Sequence, residues 1–273
     1  MNLEREYYEN DDFWSNESLG EHDSGRASAL IEEVPESVAT VLELGCGNGI
    51  FINSLRASAR KFEQIVGLDR SLSALKYVQG SKIGASIDKV PFGDSAFDMV
   101  AAFEVIEHLP VQVYASALSE ICRLSRRYAM VSVPYKQDLR QSLIECPSCF
   151  GQFNPDYHMH SFDEAVLENL LVPFGFSCVK TFTIAPYKQF RGIAKFRAMT
   201  RRRTSAENPF PTSIPCPMCG FYLKPAASGG TSMPTPDARS DESGIKPLIK
   251  KLWPREQSYV WVAALYERQT GHQ

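Results

Sequence analysis

Three glycines within five residues, in the segment VLELGCGNGIF (41–51), constrain the fold of this 273-residue chain more than any other feature. The segment begins with a run of aliphatic residues typical of a buried strand, and a helical pattern follows it. Glycines at 45, 47 and 49 let the backbone turn tightly and approach a ligand without side chains between them. The following helix then points its N-terminus at that ligand. We therefore predict a strand, a ligand-binding loop and a helix, in that order.

Further runs of this kind predict the fold class. The runs are TVLELGC (40–46), QIVGLD (64–69), KIGAS (82–86), FDMVAAF (97–103), YAMVSVP (128–134), FSCVKTFTI (176–184) and YVWVAALYE (259–267). Helical patterns separate the early runs, which indicates a Rossmann-like α/β fold with a doubly wound, mostly parallel sheet. No long helical pattern has to link the last two runs in parallel, so we expect the last strand to be antiparallel. A further helix is predicted from Ser161, because Glu164 stands at the spacing of a capping box.

Composition excludes several functional classes. The formal net charge is −3 and the pI is about 6.0, so the chain has no overall basic field for binding nucleic acid. No apolar run approaches the roughly 18 residues that would span a bilayer, and the N-terminus is acidic where a signal peptide is basic. We therefore expect a cytoplasmic protein. In that reducing compartment, the seven cysteines are expected to be thiols or metal ligands rather than disulfides.

Asp69 narrows the class of ligand that the glycine loop is expected to bind. It ends the second predicted strand, 20 residues after Gly49, where a carboxylate can accept hydrogen bonds from both hydroxyls of a ribose. A dinucleotide-binding loop has the pattern G-x-G-x-x-G, which would place the third glycine at position 50, and that residue is Ile50. A different nucleoside-containing ligand is therefore favoured.

Four motifs in order carry a resemblance to a known family. They are ELGCGNG (43–49), VGLD (66–69), VPFGDSAFDMV (90–100) and FEVIEHLP (103–110). Together they resemble the class I S-adenosylmethionine-dependent methyltransferases, particularly the branch with a Glu-His pair after strand four that is similar to ubiquinone-biosynthesis O-methyltransferases. The resemblance covers residues 25–185 and the final strand. It implies methyl transfer from S-adenosylmethionine.

The resemblance also implies a set of cofactor contacts. The glycines would line the methionine portion, Glu43 would hold the loop or the amino group through water, and Asp69 would bind the ribose hydroxyls. The adenine would lie near Ile87 and near Ser86, which stands where the family usually has Asp. The full predicted set is Glu43, Gly45, Cys46, Gly47, Gly49, Asp69, Ser86, Ile87 and Phe103.

Three histidines are candidates for the acceptor side. His108 would lie at the top of strand four, and its ordinary pKa near 6.5 suits a catalytic base. A role in helix capping or cofactor contact is equally compatible with its position. His158 and His160 lie beyond strand five, and their spacing would point both rings the same way in an extended chain. Both are predicted to contact substrate, with metal binding and simple solvation as open alternatives.

Two C-P-x-C motifs predict a structural zinc ion. Cys146 and Cys149 form the first pair, and Cys216 and Cys219 form the second. Each motif can direct two thiolates at one metal, and two motifs make a closed tetrahedral site. Both insertions that carry them are expected at the carboxyl edge of the sheet, so the fold would bring the pairs together. Four thiolates leave no open coordination position, which argues against a catalytic role for the zinc.

These interpretations define a domain organisation. It comprises an N-terminal flap (1–24), a methyltransferase domain (25–184 and 258–268), two insertions that form a zinc-bound cap (135–160 and 185–257), and a disordered run within the second insertion (228–244). Two basic, apolar segments flank the second zinc motif, at 188–203 and 245–253, and helical spacing of their apolar residues predicts helices. They are either solvated outer faces of the cap or a binding surface for phosphate or anionic membrane.

The acceptor is defined mainly by exclusion. Nucleobase amino-methyltransferases of this fold carry an Asn- or Asp-Pro-Pro-aromatic element after strand four, where this chain has FEVIEHLP. Cytosine C5 enzymes need a nucleophilic cysteine, and Cys122 lies in a helical pattern that places it in the core. We expect a small-molecule or glycan-type acceptor, methylated at oxygen, with a phosphate-bearing or lipid-linked acceptor and peripheral contact at the inner membrane surface as further hypotheses. The alternatives are a catalytically silent, zinc-containing interaction module and an RNA methyltransferase.

Overall fold

A seven-stranded sheet forms the centre of the protein. The computed structural model describes residues 8–14, 21–140, 143–190, 213–224 and 255–270. The strands in these residues are β1 (Thr40–Leu44), β2 (Gln64–Asp69), β3 (Lys82–Gly84), β4 (Phe97–Phe103), β5 (Ser125–Pro134), β6 (Ile144–Glu145), β7 (Gln152–Phe153), β8 (Phe176–Phe190), β9 (Ile214–Pro215), β10 (Tyr222–Leu223) and β11 (Arg255–Arg268). The order in the large sheet is β3-β2-β1-β4-β5-β11-β8.

The strand directions confirm the predicted fold class. β1 pairs in parallel with β2 and β4, and the parallel pairing continues outward to β3 and β5. β11 runs antiparallel to both of its neighbours, β5 and β8. The sheet is therefore Rossmann-like and mostly parallel, with an antiparallel last strand that inserts between two earlier strands.

Short helices cover the sheet. Those in the described residues are α1 (Asp11–Trp14), α2 (Glu21–Glu32), α3 (Ile50–Ala57), α4 (Leu72–Leu75), α5 (Val111–Leu124) and α6 (Glu164–Leu170), with 3₁₀ turns at Ile106–His108 and Val172–Phe174. α5 buries residues at helical spacing, among them Ile121 and Cys122, so Cys122 belongs to the core as predicted. None of the helices in the described part of the chain combines the length and the apolar character needed to cross a bilayer.

Both faces of the sheet are buried. Successive residues of each central strand point to opposite sides, so each strand contributes to two apolar clusters. Leu42 and Val100 lie in one apolar cluster, while their neighbours Val41 and Met99 lie in the other. Glu43 shares the face of Val41, and it is only 4% exposed. A carboxylate in an otherwise apolar layer marks the carboxyl end of β1 as a specialised site.

The two long strands extend beyond the runs seen in the sequence. β8 continues to Phe190 and β11 begins at Arg255, so the strand pair passes the predicted boundaries at 184 and 258. Phe190 pairs with Arg255 in this extension. The helix predicted from residue 188 is therefore wrong over 188–190, because strand pairing overrides the local helical pattern there. The rest of that segment, the basic segment 245–253 and the run 228–244 lie outside the described residues.

The cap of α6 also differs from the prediction. The N-cap is Asp163, whose Oδ1 accepts a hydrogen bond from the backbone N–H of Val166 at 2.9 Å. Ser161 lies before the helix, and its hydroxyl donates to the carbonyl of Gln137 at 2.6 Å. An aspartate at the correct position replaces the serine as the cap, since both residue types are good caps.

Candidate active site

The glycine loop links the carboxyl end of β1 to α3. The N–H groups of Gly45 and Cys46 both donate to the carbonyl of Leu68, at 2.8 and 2.9 Å, which fixes the loop against β2. Gly45 has φ +70° and Gly47 has φ +53°. A Cβ atom on Gly45 would lie 2.6 Å from Val105 Cγ2, and one on Gly47 would lie 2.8 Å from Trp14 Cζ3. The loop therefore needs glycine both for its backbone conformation and for close packing.

Asp69 holds this loop from the end of β2. Its Oδ2 accepts from the N–H of Gly47 at 2.8 Å, and its Oδ1 accepts from the N–H of Ser71 at 2.8 Å. Burial raises the pKa of Asp69, and the two backbone donors oppose that shift. An ionised carboxylate can accept about four hydrogen bonds, so two such donors leave capacity for ribose hydroxyls. Asp69 thus organises the loop as well as being the predicted ribose ligand.

Glu43 lies beneath the loop, and one of its oxygens, Oε2, has no hydrogen-bond partner within the described residues. Burial raises the pKa of Glu43 to about 8, while the nearby charge of Arg26 acts in the opposite direction. An unsatisfied buried carboxyl oxygen is costly unless a ligand or water bonds to it. Glu43 therefore fits the predicted role of holding a donor such as a cofactor amino group.

A cleft open to solvent, with about 590 Å³ of empty volume, lies over the loop. Its lining residues are Trp14, Arg26, Ala27, Leu30, Glu43, Gly45, Cys46, Gly47, Asn48, Ile50, Phe51, Phe103 and Glu104. Five of the predicted cofactor residues are in this set, and Gly49, Asp69, Ser86 and Ile87 are not. Gly49 begins α3, with φ +82°.

Neither of the predicted adenine contacts, Ser86 and Ile87, lines this cleft. Ser86 donates a hydrogen bond from its hydroxyl to the carboxylate of Asp88. Ile87 is buried in the apolar cluster on the opposite face of the sheet from Val41. Phe103, by contrast, lines the cleft and packs edge-to-face on Phe51, with ring centroids 4.7 Å apart. The adenine contacts remain predictions.

An N-terminal segment, residues 8–14, lies across the glycine loop. The carbonyl of Tyr8 accepts from the hydroxyl of Ser71 at 2.6 Å and from Trp14 Nε1 at 2.5 Å. Asp11 pairs with Lys76 at 2.7 Å on the protein surface. The Trp14 ring thereby forms one wall of the cleft. In the sequence, the acidic and aromatic composition of the N-terminus was the only sign of such a role. Closure of this segment as a flap remains a prediction.

Glu104 and Arg26 are site residues that the sequence analysis missed. Glu104 follows β4 with φ +53°, a left-handed conformation that is unusual for a non-glycine residue and is concentrated at functional sites. Its Oε2 accepts from Trp261 Nε1 at 2.8 Å and lies 3.4 Å from Arg26. The sequence signal that could have identified Glu104 is its place as the acidic residue at the start of EVIEH.

His108 ends the 3₁₀ turn that follows Glu104. Its ring meets that of His158 edge-to-face at 4.5 Å, and the Tyr8 hydroxyl lies 3.5 Å from its Nδ1. Burial, together with the neighbouring His158 and Arg70, holds the pKa of His108 well below its usual value. The ring is therefore neutral at neutral pH, which a proton acceptor or a metal ligand requires.

The other two histidines have different surroundings. His158 Nδ1 donates to the side-chain oxygen of Gln137, and burial lowers the pKa of His158 to about 4. His160 Nε2 donates to the carbonyl of Leu109 at 2.8 Å, and its ring lies against Tyr114. The structure thus brings His158, but not His160, to His108. Substrate contact by either histidine remains a prediction.

The four motif cysteines come together in two matched hairpins, β6–β7 and β9–β10. Cys146 Sγ lies 3.7 Å from Cys219 Sγ, and Cys149 Sγ lies 3.7 Å from Cys216 Sγ. All four sulfur atoms are within 4.8 Å of one another. Four thiolates bound to zinc at 2.3 Å in a tetrahedron would be about 3.8 Å apart. The donor set and its spacing therefore fit zinc.

Comparison with known proteins identifies the family. A family model described as a methyltransferase domain matches residues 19–181, which include the glycine loop, Asp69 and His108. The chain belongs to this methyltransferase family. A Mycobacterium tuberculosis protein named "Probable S-adenosylmethionine-dependent methyltransferase" is 28% identical to this methyltransferase over 141 residues, covering 50% of this chain and 48% of that protein. The chain spans about half or less of the length of the curated relatives that it matches.

Solved structures agree on the fold. A Bacillus halodurans methyltransferase superposes with a TM-score of 0.52 at 12% identity, covering 91% of this methyltransferase and 99% of that chain. A structure of the complex between the Haloferax volcanii Trm112 methyltransferase activator and a methyltransferase gives a TM-score of 0.52 at 19% identity, covering 68% and 81%. At such identities, the likeness establishes the fold and not the acceptor.

Proposed function

We propose that this protein transfers a methyl group from S-adenosylmethionine to a hydroxyl of a small-molecule or glycan-type acceptor. The observation that carries the proposal is the unsatisfied oxygen of Glu43 in the cleft over the glycine loop, together with the spare acceptor capacity of Asp69, which bonds to the same loop. These features match a ligand with an amino group and a ribose. Family membership independently supports methyl transfer.

S-adenosylmethionine supplies a sulfonium methyl group that is already activated for transfer. The protein's main task is then to position the acceptor and exclude water, which is worth up to about 7–11 kcal/mol. Trp14 and Phe103 provide apolar walls of the cleft, and the loop is held rigidly by Leu68 and Asp69. Oxygen acceptors must also lose a proton. We propose that His108 accepts this proton, because it lies one turn beyond the cleft residue Glu104.

The cofactor assignment is tested by calorimetry with S-adenosylmethionine. Replacing Asp69 with Ala removes an acceptor of charge-assisted hydrogen bonds, each worth about 1.5–3 kcal/mol, so affinity should fall at least tenfold. Gly47→Val should also abolish binding, because the added side chain would clash with the Trp14 ring and strain the left-handed backbone at this position. Asp94→Ala is the matched control, since this exposed aspartate pairs with Arg123 far from the loop. Unchanged binding in both loop variants would remove the basis of the proposal.

We further propose a structural zinc ion on the four cysteines. Such a site binds no acceptor, because four thiolates complete the coordination shell. Zinc would join the hairpins β6–β7 and β9–β10, which are far apart in sequence and share only a small apolar core of Phe153, Tyr157, Ile214 and Leu223 besides the buried cysteines. The ion would thus fix the insertion that carries His158 and stabilise the acceptor side of the site.

A phosphate-bearing or lipid-linked acceptor remains a prediction from the basic segments outside the described residues. Neutralising Arg201, Arg202 and Arg203 should weaken binding of anionic vesicles or a phosphorylated acceptor in a salt-dependent way. Affinity for S-adenosylmethionine should not change. Turnover that is normal in this variant, with no vesicle binding at low salt, would favour an uncharged soluble acceptor.

A further inference from the structure

The tips of the two cysteine hairpins expose apolar side chains. Four of these side chains are between 44% and 72% exposed, and we call them the hairpin-tip patch: Phe150, Met218, Phe221 and Tyr222. Neither tip contains a charged residue, since the sequences are CPSCFGQF (146–153) and CPMCGFYL (216–223). Charged residues make up 22% of the whole chain, and they normally occupy exposed positions. The tips are therefore apolar where exposed loops are usually polar.

The apolar surface continues from one tip to the other. The N–H groups of Phe150 and Gly220 each donate to the carbonyl of the first cysteine of their motif, at 2.9 Å, so the two tips have matching backbones. A Cβ atom on Gly151 would overlap the sulfur of Met218, which shows that the Met218 side chain crosses from the second hairpin to the first. It thereby reaches the residue next to Phe150. The patch is one surface built by both hairpins.

Phe150 has an unfavourable backbone conformation within this patch. Its φ is +59°, in the left-handed region that favours glycine, and the equivalent residue of the second hairpin is Gly220 with φ +76°. The Phe150 ring gains little from the fold in return, because most of it is exposed. Strained residues of this kind concentrate at binding and functional sites. A strained, exposed phenylalanine indicates a ring that becomes buried when a partner binds.

The sequence around the patch favours a lipid surface as that partner. Segment 188–203, which precedes the second hairpin, has seven basic residues and no acidic one, and segment 245–253 has three lysines. Lys224, which directly follows the second hairpin, is exposed. An apolar anchor combined with basic sequence is the usual requirement for stable attachment to anionic lipid. A protein interface would instead need hydrogen-bonding groups throughout, about one bond per 100–200 Å².

We propose that the hairpin-tip patch inserts into the surface of a membrane that contains anionic phospholipid. Phe150, Met218 and Phe221 enter the boundary between the headgroups and the acyl chains. Tyr222 lies at the level of the headgroups, where its apolar ring and its polar hydroxyl suit the two environments. The positive charge of the flanking sequence adds attraction to the lipid phosphates.

The hairpins connect this surface to the acceptor side of the cleft. Tyr8, whose hydroxyl lies 3.5 Å from His108 Nδ1, packs against the small apolar cluster of the two hairpins. The Tyr157 hydroxyl donates to the carbonyl of Pro215 at 2.7 Å, so the segment that carries His158 is fixed to the second hairpin. Membrane attachment would therefore act through the part of the protein that borders the acceptor. This consequence rests on the proposed function, and it favours a lipid-linked acceptor.

The test is sedimentation of the full chain, purified without chelator, with vesicles of phosphatidylcholine alone or in equal mixture with phosphatidylglycerol. Wild type should bind the mixed vesicles more tightly, and its affinity should fall as salt rises. Phe150→Gly relieves the backbone strain but removes the ring, so it should lower the partition coefficient roughly tenfold or more. Met218→Gln should act in the same direction. Val179→Ser is the matched control, because Val179 is an exposed valine on β8, outside the hairpins, and it should bind as wild type does.

Two results would overturn the proposal: no vesicle binding by wild type at low salt, or equal binding by wild type, Phe150→Gly and Met218→Gln. Self-association without lipid that both patch variants abolish would also overturn it, and would assign the patch to a second copy of the chain. Melting temperatures are measured on each variant to confirm that it is folded. Binding of S-adenosylmethionine is measured on the same samples. Cofactor binding without vesicle binding would reject the membrane surface alone, whereas vesicle binding without cofactor binding would reject only the proposed function.

Discussion

The cysteine cluster contrasts with the group of Glu107, His108 and His158, which we call the Glu107 cluster. The cysteine cluster has four identical soft ligands from two hairpins, with sulfur separations of 3.7 Å that match a complete tetrahedron. The Glu107 cluster has three mixed residues, one carboxyl and two imidazoles, and it lies next to the cleft. Residue type and position therefore distinguish a cluster proposed to hold the fold together from one that lies beside the proposed cofactor site.

The largest expected effect comes from breaking the cysteine cluster. Cys216→Ser removes one of four thiolates, and structural zinc sites contribute an apparent 10–16 kcal/mol to folding. We expect bound zinc to fall from one equivalent to near zero, and proteolysis to cut the β6–β7 and β9–β10 hairpins. Cys178→Ser is the control, because Cys178 lies on β8 outside the cluster. Less than half an equivalent of zinc in wild type purified without chelator would contradict the structural site.

A smaller but more specific effect is expected at His108. His108→Ala should lower turnover by about 10²–10⁴-fold, because the acceptor loses the group that assists its deprotonation. Zinc content and S-adenosylmethionine affinity should stay as in wild type, which would distinguish the effect of losing His108 from the effect of breaking the cysteine cluster. Steady-state kinetics at saturating cofactor, with calorimetry alongside, measures the difference. A loss confined to cofactor affinity would instead make His108 a cofactor contact.

Two buried carboxyls sharpen the comparison further. Burial raises the pKa of Glu43 from 4.5 to about 8, so between these pH values the folded protein holds a proton that the unfolded chain has released. The stability of the cofactor-free protein should therefore fall as pH rises through this window. Glu43→Gln should remove that dependence and raise the melting temperature at pH 8 more than at pH 5.

The matched variant of this experiment is Glu107→Gln. Burial and the nearby charge of Glu104 raise the pKa of Glu107 as well. Glu107→Gln should therefore also raise the melting temperature more at pH 8 than at pH 5. Thermal unfolding of wild type and both variants at the two pH values measures this, and a variant whose melting temperature shifts equally at both pH values would show that its carboxyl takes up no proton on folding.

The smallest predicted effect compares the two cysteine hairpins with each other. Phe150 and Gly220 occupy equivalent positions, and both have positive φ, at 59° and 76°. The left-handed conformation costs a non-glycine residue about 1–2 kcal/mol, part of which glycine loses again through its freedom in the unfolded chain. Phe150→Gly should therefore stabilise the protein by about 0.5–1 kcal/mol, and Gly220→Ala should destabilise it by about 1 kcal/mol. Chemical denaturation measures both, and shifts of the same sign would contradict the equivalence of the hairpins.

The parts of the fold and site that depend on local sequence were predictable. Gly45, Gly47 and Asp69 come together because a loop between adjacent parallel strands has few possible conformations. All four motif cysteines converge as the paired motifs predict. The close pairs across the motifs were not predictable: Cys146 lies 3.7 Å from Cys219 and Cys149 lies 3.7 Å from Cys216, which depends on how the hairpins dock.

Other features depend on tertiary contacts that no local pattern encodes. The burial of Glu107 follows from the 3₁₀ turn after β4, whereas the sequence analysis noted the Glu-His pair and predicted a role only for His108. His158 and His160 separate because the Glu107 carbonyl clamps the segment between them. The full lengths of β8 and β11 arise from their pairing with each other, which overrides the local preference of residues 188–190.

The position of β11 matters for how the protein is made on the ribosome. β11 lies between β5 and β8, yet it is the last of the described strands to be synthesised. Until it emerges, β5 and β8 each have an open edge of unpaired backbone groups, and such edges pair readily with other chains. A nascent chain that stalls before Arg255 is therefore exposed to aggregation even though its glycine loop and cysteine motifs have already been translated. Chaperone capture during translation should be strongest while the segment between β8 and β11 is being synthesised.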